Sequence, residues 1–200
     1  MKDNLILTIG RQYGSGGLEI GRLLSEKLGI PCYDKELVTK AAKGSYISEE
    51  FFNEFDEKII RTMYYFGADE YDAAHLPRNT ELFRIQADTI RNLAEESSCI
   101  FIGRCADVVL RDFPGCINVF LHASKEYRAE RIMRLHALNR KAALDMMNKI
   151  DKQRNRYYNA FSEKKWNDVS SYDLVLDSGK LGSEKTAQLI CDYIKLFKAE

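Results

Sequence analysis

Three glycines fall within four residues at Gly14-Ser15-Gly16-Gly17. They follow the short apolar run Leu5–Ile9 and precede Leu18, Ile20, Leu23, Leu24 and Leu28, which recur at helical spacing. A strand, a glycine-rich turn and a helix in that order present backbone N–H groups to a phosphate. Glycine permits positive φ and lets a polyanion approach the chain closely. The same residues would also serve a tight turn that packs a helix on a sheet, but three glycines in this setting favour phosphate. Gln12, Tyr13, Gly14, Ser15, Gly16 and Gly17 are therefore the expected phosphate cradle. The chemistry implied is phosphoryl binding and transfer, which rests on positioning and charge more than on covalent steps.

The loop departs from the standard pattern G-x-x-x-x-G-K-[ST]. With Gly16 as the last glycine, Gly17 stands in the lysine position and Leu18 in the magnesium-binding hydroxyl position. Arg11 replaces the first glycine. Arg11 is then the nearest replacement for the missing cation, and a catalytic candidate. Ser15 is the nearest hydroxyl, and the candidate metal ligand.

Further cations lie downstream. From Arg128 to Arg156 there are nine Arg/Lys against three acids, a local balance of +6. From Ser48 to Asp72 eight acids face two bases, a balance of −6. The acidic stretch reads as a solvated face. In the basic one, Arg128, Arg131 and Arg134 sit three apart and share broadly one helix side. Arginine suits phosphate because its planar fork donates two bonds at once. The three histidines (75, 122, 136) are isolated, and no Ser or Cys sits in a nucleophile motif. His122 ends an apolar run and reads as a packed histidine. Trp166 reads as an anchor, with stacking on a base as the alternative. The aromatics between Phe51 and Tyr71 read mostly as core.

The elements that must position these groups alternate. Leu5–Ile9, Cys99–Ile102, Ile117–Leu121 and Leu174–Leu176 are short apolar runs separated by helical patterns. Gly29 and Pro31 stop the first helix. Ser124 offers an N-cap for a helix to about Leu138, and Gly182-Ser183 opens the last one. Such runs imply a parallel sheet buried on both faces, with ligands beyond the C-terminal strand ends. Residues 34–97 and 139–168 are two helical excursions over that edge. One domain of 200 residues suffices for a single core. Thirty Lys+Arg balance thirty Asp+Glu, which argues against coating nucleic acid or an anionic membrane. No apolar run spans a bilayer and no signal peptide is evident. Five scattered cysteines support neither zinc nor a disulfide framework, so the cytoplasm is the expected compartment.

The order of these pieces resembles the cytidylate kinase-like proteins over nearly the whole chain. The matching segments are Thr8–Ile20, Cys32-Tyr33-Asp34-Lys35-Glu36-Leu37, Ile102–Val109, Val119–Ser124 with Arg128 and Arg131, and Tyr172–Ser178. The resemblance implies an α/β, three-layer P-loop NTPase fold with a five-stranded parallel sheet. Its core would be 1–33, 98–138 and 169–200, with a monophosphate-binding insertion at 34–97 and a lid at 139–168. It implies ATP and Mg²⁺ as cofactors and transfer of phosphate to CMP or dCMP, with small-molecule partners only. Asp151-x-x-Arg154 resembles part of the family's lid motif, which makes Arg131 and Arg154 the expected transition-state arginines. Arg128, Arg134 and Arg156 are secondary lid candidates. Arg84, Arg104, Asp107 and Asp34 are the implied acceptor residues. Arg84 reads equally as a surface arginine, and Asp34 as an N-cap for a helix from Lys35. Cys105 stands where cytidylate kinases carry Asp. A nucleotide-binding regulatory protein without turnover, and a kinase for another small acceptor, are the alternatives.

Overall fold

The computed structural model describes residues 4–34 and 76–197, with side chains in the second stretch from residue 83 onward. The acidic stretch 48–72, the aromatics from Phe51 to Tyr71, His75, most of the insertion and the helix expected from Lys35 lie outside the described residues. Four strands fall on the apolar runs of the sequence. They are β1 (Ile6–Arg11), β3 (Cys99–Ile102), β4 (Cys116–His122) and β5 (Leu174–Asp177). The fifth, β2, is only Cys32–Tyr33. All pairings are parallel, in the order β2-β3-β1-β4-β5.

Alternation along β1 feeds both faces of the sheet. Leu7 and Ile9 join Ile20 and Leu24 of α1 (Gly17–Leu28) and Ile190 and Ile194 of α6 (Ser178–Phe197). Ile6 faces the other way, toward Ile90 and Ala94 of α2 (Leu76–Glu96) and Leu110. Ile6, Leu7 and Ile9 have no exposed surface. Each such side chain contributes about 1.5–3 kcal/mol through burial. The central strand is thus fixed by helices on both sides, and its C-terminal end cannot wander.

Helix ends follow the sequence signals. Gly29 closes α1 in the left-handed conformation, its N–H reaching the Ser25 carbonyl oxygen. Ser124 caps α4 (Lys125–His136), its hydroxyl accepting from the Tyr127 N–H at 3.2 Å. The helix stops two residues before Leu138, because Ala137 turns left-handed. Asn139 caps the long α5 (Arg140–Phe161) through the Ala142 N–H at 2.9 Å. The last helix starts earlier than Gly182-Ser183 suggests. A turn from Ser178 precedes it, and Gly182 breaks the helical path with φ 75°. Among the described residues no helix is long and apolar enough to cross a membrane.

The turn at Ser178 ties this helix to the glycine loop. The Ser178 hydroxyl, 1% exposed, lies 2.6 Å from the Ser15 carbonyl oxygen and 3.0 Å from that of His122. Ser178→Ala removes the donor and leaves buried carbonyls unpaired, which costs about 1–3 kcal/mol. The denaturant midpoint should fall accordingly; an unchanged midpoint would show that the bond contributes nothing.

Candidate active site

The loop between β1 and α1 is built by close approach. Gly14 and Gly16 have φ of 83° and 82°, which L side chains rarely adopt. A Cβ on Gly14 would lie 2.9 Å from the Arg128 carbonyl oxygen, so α4 presses directly on the loop. The Ser15 hydroxyl turns inward and donates to the Gln12 carbonyl oxygen at 2.9 Å, with 1% of the residue exposed. Ligation of a metal by Ser15 would require that bond to break. Among the described residues the N–H groups of Gly16, Gly17 and Leu18 have no acceptor, as expected for the first turn of a helix. Such unpaired donors, with the helix dipole behind them, are suited to hold an anion, as the sequence reading expects of a cradle here.

Arg11 ends β1 beside that cradle. Its stem runs over Gly17 and its guanidinium reaches Gly103 at the end of β3. Burial holds its pKa well below the ordinary arginine value. The charges of Arg154 and Arg104 lower it further, and Asp34 opposes them. Three guanidinium groups therefore share one small region at the C-terminal edge of the sheet, and Asp34 supplies the nearby negative charge. Such a cluster is unfavourable by itself and becomes favourable around a polyanion.

Helix α5 brings Arg154 there. Its Nη1 donates to the Arg11 carbonyl oxygen at 2.9 Å, and its guanidinium lies 5.5 Å above the Tyr13 ring. Burial lowers the Arg154 pKa as well, with Asp151 acting in the opposite direction. One turn earlier, Asp151 accepts from the Tyr13 N–H at 2.7 Å and from Arg128 Nη1 at 2.5 Å. Arg128 also donates to the Tyr13 carbonyl oxygen at 3.3 Å, and the Tyr13 hydroxyl meets His136 Nε2 at 2.9 Å. Tyr13 is thus held from both helices. Arg128 serves the loop's shape through this partly buried ion pair. Arg131 pairs with Glu19, and its Cζ would lie 3.7 Å from a Cβ on Gly16. That hydrogen bond, above other causes, lowers the Glu19 pKa. Arg134 and Arg156 are exposed.

The acceptor candidates divide. Gly103, Arg104 and Cys105 all have positive φ, a strained run of the kind that collects at functional sites. Arg104 Nε donates to Gln86 Oε1 at 3.1 Å, its Nη2 donates to the same atom, and its guanidinium lies 4.5 Å over the Tyr157 ring. The Tyr157 hydroxyl donates to Gln86 Oε1 at 3.2 Å. Gln86 is 3% exposed, so a buried amide fixes the orientation of Arg104. Arg84 is exposed on α2. Asp107 accepts from the Tyr158 hydroxyl at 2.6 Å, and burial raises its pKa. That carboxylate faces α5. Cys105 is buried and caps α3 (Ala106–Val109), its thiol pushed up to about 12 by burial. Trp166 packs edge-to-face on Phe120 at 5.7 Å, as an anchor does.

The structure thus gathers Arg11, Arg131 and Arg154 at residues 12–17, and brings Arg104 and Asp34 near the Arg11 guanidinium. It leaves Arg84, Arg134 and Arg156 exposed, and turns Ser15, Asp107 and Arg128 toward protein partners. Gln86, Tyr157 and Glu19 were not singled out by sequence reasoning. A polar residue on the buried face of an amphipathic helix was the available signal for Gln86. Among the described residues no group of three His, Cys, Asp or Glu could hold a metal ion.

The sheet order, the glycine loop at the end of its central strand and the arginines converging there define a phosphotransferase of the P-loop kinase fold. The profile of the cytidylate kinase-like family matches residues 6–180, and the chain belongs to that family. It is 27% identical over 194 residues to a cytidylate kinase of Methanococcus vannielii, covering 96% of this chain and 100% of that protein. It is 24% identical to one from Pyrobaculum calidifontis, covering 95% and 92%. An uncharacterised protein from Eubacterium ventriosum superposes with a TM-score of 0.75 at 32% identity, covering 96% of this chain and 98% of that one. Shikimate kinase from Aquifex aeolicus, at 19% identity and a TM-score of 0.52 over 96% of both chains, shares the fold.

The Asp151–Arg128 pair is the joint most exposed to test. Asp151→Ala strands a buried arginine and the Tyr13 N–H, with a cost of about 3–5 kcal/mol. Asp151→Asn keeps an acceptor and should cost less. Equal losses for the two variants in chemical denaturation would show that the hydrogen bonds do not matter.

Proposed function

We propose that this chain is a nucleoside-monophosphate kinase that transfers the γ-phosphoryl group of ATP to CMP or dCMP. The convergence of Arg11, Arg104 and Arg154 on a glycine loop with unpaired N–H groups carries this reading. Full-length similarity to cytidylate kinases supports the acceptor class.

In this reading the loop from Gln12 to Gly17 binds the donor phosphates. An acceptor phosphate oxygen attacks the γ-phosphorus as the bond to the ADP oxygen breaks. Arg11, Arg131 and Arg154 stabilise the charge on the transferring group. No strong base is needed, because the acceptor is already an anion. Arg104, held by Gln86 and Tyr157, binds the acceptor phosphate, with Asp34 beside it. Mg²⁺ would arrive with the ATP phosphates, since such ions are held largely by substrate and water. Residues 139–168 act as the lid, and 34–97 as the acceptor-binding insertion. The substrates are small nucleotides, and the compartment is the cytoplasm.

Cys105 and Asp107 favour a second reading, a kinase for another small acceptor. Neither the buried thiol nor the carboxylate bonded to Tyr158 faces the cradle as an acceptor-reading acid.

Release of ADP measured over CMP, dCMP, UMP, AMP and small alcohols separates the readings. CMP or dCMP should give the highest kcat/KM. Turnover with a non-nucleotide alone would establish the second reading. ATP binding without turnover of any acceptor would indicate a regulatory protein. With the acceptor known, Arg104→Met should raise its KM at least tenfold and leave ATP affinity unchanged; an equal loss of both would remove Arg104 from the acceptor site.

A further inference from the structure

We propose that Gly17 and Gly103 form a slot for the Arg11 side chain, so that the cation of the phosphate loop is delivered from β1 and a side chain at position 17 is excluded. This inference rests on the phosphotransferase reading, and deepens it by assigning the loop's cation.

Gly17 is the informative residue. Its backbone is not in the left-handed region, so nothing in its φ requires glycine. It is buried in the first turn of α1, where alanine would suit the helix better. What forbids a side chain is Arg11. A Cβ on Gly17 would lie 2.8 Å from Arg11 Cγ and 3.0 Å from Arg11 Cβ. Of those atoms Cβ is fixed by the backbone of β1, and Cγ moves only if χ1 changes. At the other end Gly103 has φ 71°, which favours glycine by itself, and the tip of the arginine fills the space beside it. A Cβ on Gly103 would lie 1.9 Å from Arg11 Nη1 and 3.0 Å from Cζ. One arginine therefore occupies the Cβ space of two glycines on separate elements, the loop helix and the end of β3.

The absence of the loop lysine and the presence of Arg11 are thus one fact. A lysine at position 17 and the observed Arg11 rotamer cannot coexist. The arginine stem crosses the root of the missing side chain and carries its charge to the edge between the loop and β3. The arrangement is costly without a ligand, because burial and the Arg154 and Arg104 charges all oppose the cation. A donor triphosphate, accepting hydrogen bonds from the guanidinium, relieves that cost.

The test compares Arg11→Ala, Gly17→Ala, Gly17→Lys and the two double variants that join Arg11→Ala to each Gly17 change. Each is read by thermal melting without nucleotide and by calorimetric ATP affinity. Alanine at position 11 removes the Cγ that a side chain on Gly17 would meet first. Arg11→Ala should bind ATP at least tenfold more weakly. Gly17→Ala and Gly17→Lys should lower the melting temperature by more when Arg11 is present than when it is alanine. The double variant with Gly17→Lys should bind ATP at least fivefold more tightly than Arg11→Ala alone. Gly17→Ala melting like wild type would remove the slot. A Gly17→Lys double variant no better than Arg11→Ala would overturn the replacement of lysine by arginine. A wild-type protein that binds no ATP would overturn the phosphotransferase reading itself and with it the cation's assignment, while the nucleotide-free melts still decide whether the slot exists.

Discussion

Like charges do not gather at a partly buried sheet edge without a reason, and the gathering of Arg11, Arg104 and Arg154 is the constraint on which this structure turns. Burial and mutual repulsion both work against Arg11. The fold must hold the three in place against that repulsion. It does so with backbone and neutral partners more than with acids. Arg154 is bonded to a carbonyl oxygen, and Arg104 to an amide and an aromatic face. Had each been neutralised by its own carboxylate, the cluster would be more stable and less attractive to phosphate. Asp34 tempers the charge of Arg11 without cancelling it.

The scaffold around this cluster consists of rigid elements meeting at Tyr13. The parallel sheet fixes the end of β1, and α1 begins where the loop ends. Helix α4 supplies Arg128 and α5 supplies Asp151 and Arg154, so three residues on two helices seize one residue of the loop. Helix α5 is therefore in contact with the glycine loop through its Asp151–Arg154 turn, and with Gln86, Arg104 and Asp107 through Tyr157 and Tyr158. A single helix touches both groups of candidate residues.

Much of this was legible in the sequence, and the reasons are specific. Glycines with positive φ and a strand before them marked the loop, because few other local structures need that combination. The strands at 99–102 and 117–121 were plain as buried apolar runs. Cys32–Tyr33 was not, since two residues carry no period and only pairing with Ile100 and Phe101 makes them a strand. Arg11 could be named from its place in the loop, but the reason for Gly17 could not. That reason is a steric relation between residues, with no trace in composition. The roles of Arg128 and Asp107 were also hidden. A buried arginine paired with Asp151 and a surface arginine look alike in a basic run, and the partner of Asp107 lies fifty-one positions away. Gln86 was passed over because a lone amide in a helical pattern has no chemistry until Arg104 is beside it.

If the cation cluster exists to receive a chain of phosphates, then phosphates alone should engage it. Titrating inorganic tripolyphosphate into the nucleotide-free protein at low salt, and following the melting temperature, tests this without any base or ribose. The melting temperature should rise with tripolyphosphate well beyond the rise with sulfate, and the effect should shrink as salt is added. A melting temperature that tripolyphosphate leaves unchanged would contradict the view that Arg11 and Arg154 form a site for a chain of phosphates beside the glycine loop.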